Sequence, residues 1–250
     1  MQLTQTFLAR LQKAYSVVVM TGSGISAASG VPTFRGKDGL WKNYQPHELA
    51  SLDAFTRQPE VVWEWYRWRR NIIRNAQPNP GHFTLTEFPK YFPEFHLITQ
   101  NVDGLHRRAG SQKIIELHGN IMRNKCIDCT YLGEADGEDE AQPVPQCPKC
   151  SGKLRPDVVW FGETLPMDEV TEAQRVSQET EIFFSIGTSS LVEPAASLAY
   201  LAKGNGAYLV EINPDETPLS SVANERFPFA VEKFLPALEM VIKKLRKPVA

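Results

Sequence analysis

Four cysteines stand in two pairs, Cys126-x2-Cys129 and Cys147-x2-Cys150, with seventeen residues between the pairs. Two thiolate knuckles at that spacing match what a tetrahedral zinc ion takes, and four sulfur ligands leave no open position for water, so the metal would be structural. Metal binding worth on the order of 10 kcal/mol would hold so small a module together. Two other readings stand beside it, a redox dithiol pair and a free-standing nucleic-acid ribbon. The ribbon has little support: only Arg123, Lys125, Lys149, Lys153 and Arg155 attend the knuckles, and an acidic patch runs from Glu134 to Glu140.

A second candidate is Gly22-Ser23-Gly24-Ile25-Ser26-Ala27, a match to G-x-G-x-x-G/A. Its first two glycines would let backbone amides approach a pyrophosphate, and a following helix would offer its N-terminal dipole. Gly187-Thr188-Ser189-Ser190 and Glu211-Ile212-Asn213-Pro214 would place two more polar loops at the same edge. A dehydrogenase usually carries an acidic residue about twenty positions after the glycines, at the end of a second strand. Here that region is the loop Pro32 to Trp41, so ordinary hydride transfer is disfavoured. Phe34 and Arg35 in it read either as a mobile cover over phosphates or as loop packing and surface charge.

Among five histidines, His118 stands out because it follows the apolar run Ile114-Ile115-Glu116-Leu117 and precedes Gly119-Asn120. Another strand-to-helix junction, Thr99-Gln100-Asn101-Val102-Asp103-Gly104-Leu105-His106, would bring an amide pair and a carboxylate to the same crevice. Imidazole is the usual group for removing a proton near neutral pH.

These groups need a frame. The runs Tyr15 to Met20, Phe95 to Thr99, Lys113 to Leu117, Glu181 to Ile186 and Ala207 to Ile212 read as buried parallel strands. Helical stretches lie near 48–75, 167–178, 194–203 and 231–246, and strands alternating with helices mean an α/β sheet. The expected fold is a Rossmann-like parallel-sheet domain with a smaller lobe made of a zinc-ribbon module and a helical insertion. The sheet domain is assigned to 1–40, 85–120 and 156–250, the insertion to 41–84 and the zinc module to 121–155. The 250 residues carry 27 Lys+Arg against 29 Asp+Glu, a net charge of -2, which argues against an electrostatic grip on nucleic acid. With no signal-like start and no apolar run of about 18 residues, a soluble, cytoplasmic protein without membrane partners is expected.

Taken in order, Gly22 to Gly36, Thr99 to His106, Glu116-Leu117-His118-Gly119, the cysteine knuckles, Val158-Val159-Trp160-Phe161-Gly162-Glu163, Gly187-Thr188-Ser189 and Ile212-Asn213-Pro214 resemble a sirtuin, the NAD-dependent protein-lysine deacylase family. The likeness covers nearly the whole chain. It implies NAD as co-substrate, one structural zinc and acylated-lysine proteins as partners. Gly22, Ser23, Gly24, Ala27, Thr33, Phe34, Arg35 and Trp41 would surround the dinucleotide; Gln100, Asn101, Val102 and Asp103 would hold the nicotinamide and its ribose; Gly187, Thr188, Ser189, Asn213 and Ala230 would meet the adenosine side. His118 would be the general base, assisted by Asn101 and Asp103. In the family's reaction the acyl oxygen attacks C1′ of the nicotinamide ribose, nicotinamide leaves, and the histidine deprotonates a ribose hydroxyl, giving free lysine and O-acyl-ADP-ribose. Val158, Trp160 and Phe161 would lie along the peptide cleft, where a substrate backbone pairs between the lobes. Two departures are Ser23, where relatives commonly have Ala, and Glu193, at a site often apolar or aromatic. Mono-ADP-ribosyl transfer and a non-catalytic NAD-responsive binding module are the rival functions.

The stretch 61–74 adds a clue from periodicity. At about 100° per residue, Val61, Val62, Trp65, Trp68, Ile72 and Ile73 share one face, with Trp63, Glu64, Arg67, Arg70, Asn71 and Arg74 away from it. Arg69 falls inside the apolar arc and Tyr66 at its edge. A guanidinium against apolar walls needs an anion or several acceptors. It reads either as an internal ion pair or a side chain reaching water, or as the receiver of a substrate carboxylate in bidentate geometry. Tyr66-x-x-Arg69, with the small Ala50, resembles the acyl pocket of sirtuins that remove succinyl and malonyl groups, and apolar walls would still admit acetyl.

Overall fold

Ser16 to Thr21 carries three consecutive valines and no polar alternation, the pattern of a strand covered on both faces, and every residue after Ser16 is buried. The computed structural model describes residues 3–34, 46–135 and 142–249. Along the chain the regular elements are α1 (Gln5–Lys13), β1 (Ser16–Thr21), α2 (Pro46–Leu49), α3 (Leu52–Arg57), α4 (Pro59–Asn75), α5 (Pro80–Glu87), β2 (Glu94–Thr99), α6 (Leu105–Ala109), β3 (Ile114–Glu116), β4 (Gly119–Cys126), β5 (Leu132–Glu134), β6 (Leu154–Val158), α7 (Met167–Glu179), β7 (Ile182–Ile186), α8 (Ser197–Gly204), β8 (Tyr208–Ile212), β9 (Glu225–Phe227) and α9 (Val231–Leu245).

Six of the strands form one parallel sheet in the order β3-β2-β1-β7-β8-β9. Renumbered within the sheet alone this is 3-2-1-4-5-6, the doubly wound dinucleotide-binding order, and it reverses direction between β1 and β7. A crevice must therefore open where β1 and β7 end, at Thr21 and Ile186. One face of the sheet is covered through Phe7, Leu85 and Leu235, from α1, α5 and α9. The other is covered through Ala173 and Leu198, from α7 and α8. Phe7 anchors the first layer, its ring 5.6 Å from Phe227, 6.0 Å from Tyr208 and 6.2 Å from Phe184.

The smaller lobe is built on an antiparallel sheet, β5-β4-β6. Its core is shared: Phe55, Val62 and Trp63 from α3 and α4 pack with Ile121 and Leu154 from the cysteine-bearing segment and with Trp160 after β6. The Trp63 indole N–H donates to the Leu154 carbonyl at 3.0 Å, so the helical insertion and the zinc module form one body.

Several elements depart from the periodicity reading. In α4 the buried set is Val62, Trp63, Trp65, Tyr66, Arg69, Arg70 and Ile73, whereas Val61 and Trp68, expected inside, are exposed. The helix is covered from two directions, by α3 and by β4, so its buried arc is wider than a one-sided wheel allows. Arg70, expected outside, is fully buried because its donors are satisfied: Nε bonds to the Ile121 carbonyl at 2.7 Å and Nη2 to Asn124 Oδ1 at 2.7 Å. α5 straddles residue 84, the expected end of the insertion, and packs with the sheet domain through Leu85. Among the described residues no helix is long and apolar enough to cross a membrane.

Candidate functional site

The four cysteine sulfurs all lie within 4.8 Å of one another. Cys126 and Cys150 are 3.5 Å apart at sulfur, Cys129 and Cys147 3.7 Å. A tetrahedron of zinc–sulfur bonds near ~2.3 Å has edges of about 3.8 Å, whereas a disulfide needs about 2.05 Å. The cluster therefore fits one four-coordinate zinc and no disulfide. In both knuckles the amide two residues on turns back toward sulfur, Asp128 N to Cys126 at 3.3 Å and Lys149 N to Cys147 at 3.4 Å, which favours the thiolate a metal requires.

At the crevice, the loop after β1 and the loop after β7 are pressed together. Gly22 N donates to the Ile186 carbonyl at 3.0 Å and Gly24 N to the Gly187 carbonyl at 2.8 Å. A Cβ on Gly24 would come within 2.7 Å of Gly187 Cα, so no side chain fits there. This alters the sequence reading in two ways. The amides of Gly22 and Gly24 are taken up by the neighbouring loop and are not free for a pyrophosphate. Residues Ser23–Ser29 form a 3-10 segment in place of an α-helix. The glycines serve the close approach of two strand-end loops, with Gly187 (φ 58) in the left-handed region.

A cavity of about 920 Å³ opens there and runs into the smaller lobe. It is lined by every expected dinucleotide and substrate residue that the structure describes, with Asp103 as the exception. Gly22, Ser23, Gly24, Ala27, Thr33 and Phe34 come from the first loop; Gln100, Asn101 and Val102 follow β2; Gly187, Thr188, Ser189, Asn213 and Ala230 close the far side; Ala50, Tyr66, Arg69, Val158, Trp160 and Phe161 line the lobe. Arg35 and Trp41 lie outside the described residues. Asn213 donates to the Thr188 carbonyl at 2.8 Å and Gln100 Nε2 to Thr188 Oγ1 at 3.0 Å, which fixes the loops to one another.

His118 lies on the cavity wall at the turn between β3 and β4. Its Nδ1 is 3.0 Å from the Gln100 carbonyl. A carbonyl only accepts, so Nδ1 carries the proton and Nε2 keeps its lone pair. Burial lowers the imidazole pKa, partly opposed by the Gln100 bond, which favours the neutral ring.

Asp103 sits one layer beneath the cavity, buried, accepting from Leu105 N at 2.9 Å and Ser26 Oγ at 2.7 Å. Burial raises its pKa, against those hydrogen bonds and the charges of Arg69 and Arg108. Around it is a polar layer of which the sequence reading named Asn101 and missed His82. Asn101 Nδ2 donates to the Gly22 carbonyl at 3.1 Å and to Ser26 Oγ at 3.3 Å. His82 accepts from Asn79 N through Nδ1 at 3.2 Å, so its protonated Nε2 faces Ser26 Oγ at 3.4 Å. His106 Nε2 is 2.9 Å from Thr21 Oγ1, and its Nδ1 is buried with no partner. Burial lowers His82 to about 4 and His106 to about 3. The signal that could have found His82 is Asn79-Pro80-Gly81-His82, a capping residue, proline at the first helical position and a side chain returning to the cap.

In the lobe, Arg69 is 6% exposed. Its guanidinium carbon lies 4.9 Å from the Phe34 ring centroid, 4.9 Å from Trp65 and 5.7 Å from Tyr66. Burial lowers its pKa, opposed by Tyr66 and Asp103, and an arginine stays charged regardless. Among the described residues no carboxylate or carbonyl accepts a hydrogen bond from it. The internal ion pair considered from sequence is absent there, and the stacked cation faces the cavity. Tyr66 Oη accepts from the Trp160 indole at 2.8 Å. In the segment expected along the peptide cleft, Val159 N donates to the His118 carbonyl, Phe161 N to the Ala50 carbonyl and Trp160 N to Glu163, so these three amides are engaged within the chain. Glu193, unexplained by sequence, accepts from Ser197 N at 3.2 Å and Oγ at 2.6 Å ahead of α8.

His118, a glycine-crossed crevice at a sheet reversal and a closed cysteine cluster are separate features of this chain, and comparisons with known proteins give its family. The family model described as "Sir2 family" matches residues 22–194. An Aquifex aeolicus (strain VF5) protein named "NAD-dependent protein deacylase" is 51% identical over 232 residues, covering 93% of this chain and 96% of that one. A crystal structure of a Sir2 homolog–NAD complex superposes with a TM-score of 0.91 at 42% identity, over 97% of this chain and 95% of the other. One described as "Sir2-p53 peptide-NAD+" gives 0.85 at 33% identity, over 96% and 98%. With the sheet order, the cysteine cluster and the sequence likeness all in agreement along nearly its whole length, the chain belongs to the Sir2 family.

Proposed function

We propose that this protein is an NAD-dependent protein-lysine deacylase whose pocket favours acidic acyl groups, succinyl and malonyl, while still admitting acetyl. The observation that carries the acyl preference is Arg69: a cation buried among three aromatic rings, facing the cavity, with no acceptor among the described residues. A carboxylate at the end of an acyl chain supplies the missing anion. Tyr66, one turn before Arg69 on α4, offers a second donor, and Ala50 leaves room beside them.

NAD supplies an electrophilic ribose carbon and a leaving nicotinamide when bound. The rest falls to this chain's side chains. The two glycine-crossed loops, with Asn213 after β8, hold the dinucleotide, and Asn101 and Asp103 support its nicotinamide end through Ser26. Tyr66 and Arg69 hold the acyl group so that its carbonyl oxygen approaches the ribose. His118 Nε2 takes the proton from a ribose hydroxyl, and the Gln100 carbonyl keeps that nitrogen unprotonated beforehand. The cysteine-bound zinc acts as scaffold, since four sulfurs close its coordination. The division into a sheet domain, a helical insertion and a zinc module follows these roles, and the thiolate cluster suits a reducing, cytoplasmic setting.

The test is product analysis by mass spectrometry on a panel of acyl-lysine peptides with NAD. Free lysine, nicotinamide and the matching O-acyl-ADP-ribose should appear, with the highest kcat/KM on succinyl- and malonyl-lysine. ADP-ribose attached to protein in place of acyl-ADP-ribose would establish transfer instead, and NAD binding without nicotinamide release would leave only a sensing module.

A further inference from the structure

We propose that Trp160 is a specificity-determining positioning residue: its indole N–H holds the Tyr66 hydroxyl so that the phenol proton is offered to the acyl group and not to the protein. This rests on the reading of Tyr66 and Arg69 as donors to an acyl carboxylate. An indole nitrogen can only donate. In the 2.8 Å contact between Trp160 Nε1 and Tyr66 Oη the phenol oxygen must therefore accept, and its own proton must point elsewhere. Among the described residues nothing accepts that proton. Tyr66 is fully buried and Trp160 2% exposed, so water has little access to the pair. The remaining direction is the cavity, which Tyr66 and Arg69 both line. A buried donor without a partner favours a ligand that brings an acceptor over one that does not.

The indole is itself fixed from behind. The Arg155 guanidinium carbon stacks 3.4 Å from the Trp160 ring centroid. Arg155 Nη2 bonds to the Val158 carbonyl at 2.6 Å and to Glu163 Oε2 at 2.8 Å, and the same carboxylate oxygen accepts from Trp160 N at 2.9 Å. Glu163 remains ionised: burial works against its charge, but the Arg155 and Trp160 hydrogen bonds hold its pKa below the ordinary value. The chain Glu163, Arg155, Trp160, Tyr66 thus runs from β6 and the turn after it to α4, joining the two halves of the lobe at the acyl group.

The test compares succinyl-lysine and acetyl-lysine peptides in the parent, Trp160→Phe, Tyr66→Phe and the double variant. Trp160→Phe removes the N–H and keeps an aromatic ring. It should lower the succinyl-to-acetyl ratio of kcat/KM by about five- to tenfold, the loss of one neutral hydrogen bond, and the loss should lie in the KM for the succinyl peptide. In the Tyr66→Phe background the same change should leave the ratio where it is, because no hydroxyl remains to be oriented. An unchanged ratio in the parent, or equal falls in both backgrounds, overturns the positioning role. Arg69→Met separates this from the underlying reading: if it lowers the ratio and Trp160→Phe does not, only Trp160 is misassigned, and if it leaves the ratio intact, the acyl-carboxylate reading fails and the inference with it. Should Trp160→Phe not fold, 3-benzothienylalanine at position 160 keeps the shape and removes only the N–H, with the same expected and refuting results.

Discussion

Replacing Arg69 by Met removes the guanidinium and keeps a long unbranched side chain, and the size of the effect can be worked from the packing. Three contributions are lost. The stacking of the cation on Phe34, Trp65 and Tyr66 is worth about 0.5–2 kcal/mol for such contacts, but it is present whichever acyl group is bound and cancels in a comparison of substrates. The support Arg69 lends to the charge of Asp103 is likewise common to both, and Asp103 keeps its bonds to Leu105 and Ser26. The contact with an acyl carboxylate exists for succinyl alone, and a hydrogen bond to a charged group contributes about 1.5–3 kcal/mol. That converts to a fall of about 10- to 150-fold in the succinyl-to-acetyl ratio of kcat/KM. No buried carboxylate is left orphaned in the free enzyme, because no described acidic side chain pairs with Arg69, so folding should tolerate the change. The assay is initial-rate kinetics on matched succinyl- and acetyl-lysine peptides at saturating NAD, with a thermal melt to confirm folding. Arg69→Lys should recover part of the preference, since it restores charge without the bidentate fork. Equal losses on both peptides would assign Arg69 to the scaffold and refute the acyl reading.

His118→Ala should reduce deacylation by about 10²–10⁴-fold, the usual worth of a general base, while nicotinamide release suffers less. In the parent, kcat/KM should stay level as pH falls through 7 and decline only below the ordinary imidazole range, because burial lowers the His118 pKa; an acid limb above pH 7 would contradict the neutral-base assignment. Elemental analysis should find one zinc per chain, and a strong chelator should melt the smaller lobe and with it turnover on both peptides. Persistence of full activity in metal-free protein would remove zinc from the fold. Acid should destabilise the protein through His82 and His106, whose native pKa values, about 4 and about 3, lie below the unfolded value. The unfolded chain binds those protons first, so stability is complete above about pH 6.5 and falls below it by about 1.4 kcal/mol per pH unit for each histidine until the native value is reached. Urea titrations from pH 7 to 5 should show this slope, and His106→Gln should reduce it.

What the sequence disclosed was whatever is local in the chain. The cysteine knuckles, the glycine turn after β1, the polar junction at Gln100 to Asp103 and the histidine after β3 each sit within a few residues, and an all-parallel sheet brings its strand ends to one edge. The strands of the smaller lobe were not legible, because β4 and β6 contain Arg123, Asn124 and Lys125, then Arg155, Pro156 and Asp157, residues that break the apolar signal of a strand. They are held by charged partners: Arg123 bonds to Asp157 on the neighbouring strand β6 at 2.9 Å and to Glu116 of the larger sheet at 3.1 Å. The face of α4 was misjudged for the related reason that burial there follows satisfied polar groups as well as hydrophobicity.

The pocket proposed to take the acyl group shows where these two kinds of information meet. Tyr66 and Arg69 share a turn of one helix, so their pairing could be read from spacing alone. The group that orients Tyr66 is 94 residues further along and belongs to a segment whose own neighbours, Arg155 and Glu163, give no periodic signal. A motif of two residues can therefore name the chemistry of a pocket without determining its selectivity. Selectivity depends on whether the donors are free and aimed, and that is a property of the fold: Arg70, next to Arg69 and chemically identical, is occupied by the backbone of β4 and Asn124, while Arg69 is left facing the cavity. The difference between a clamp and a receptor lies in one step around the helix, toward the strand or toward the cavity.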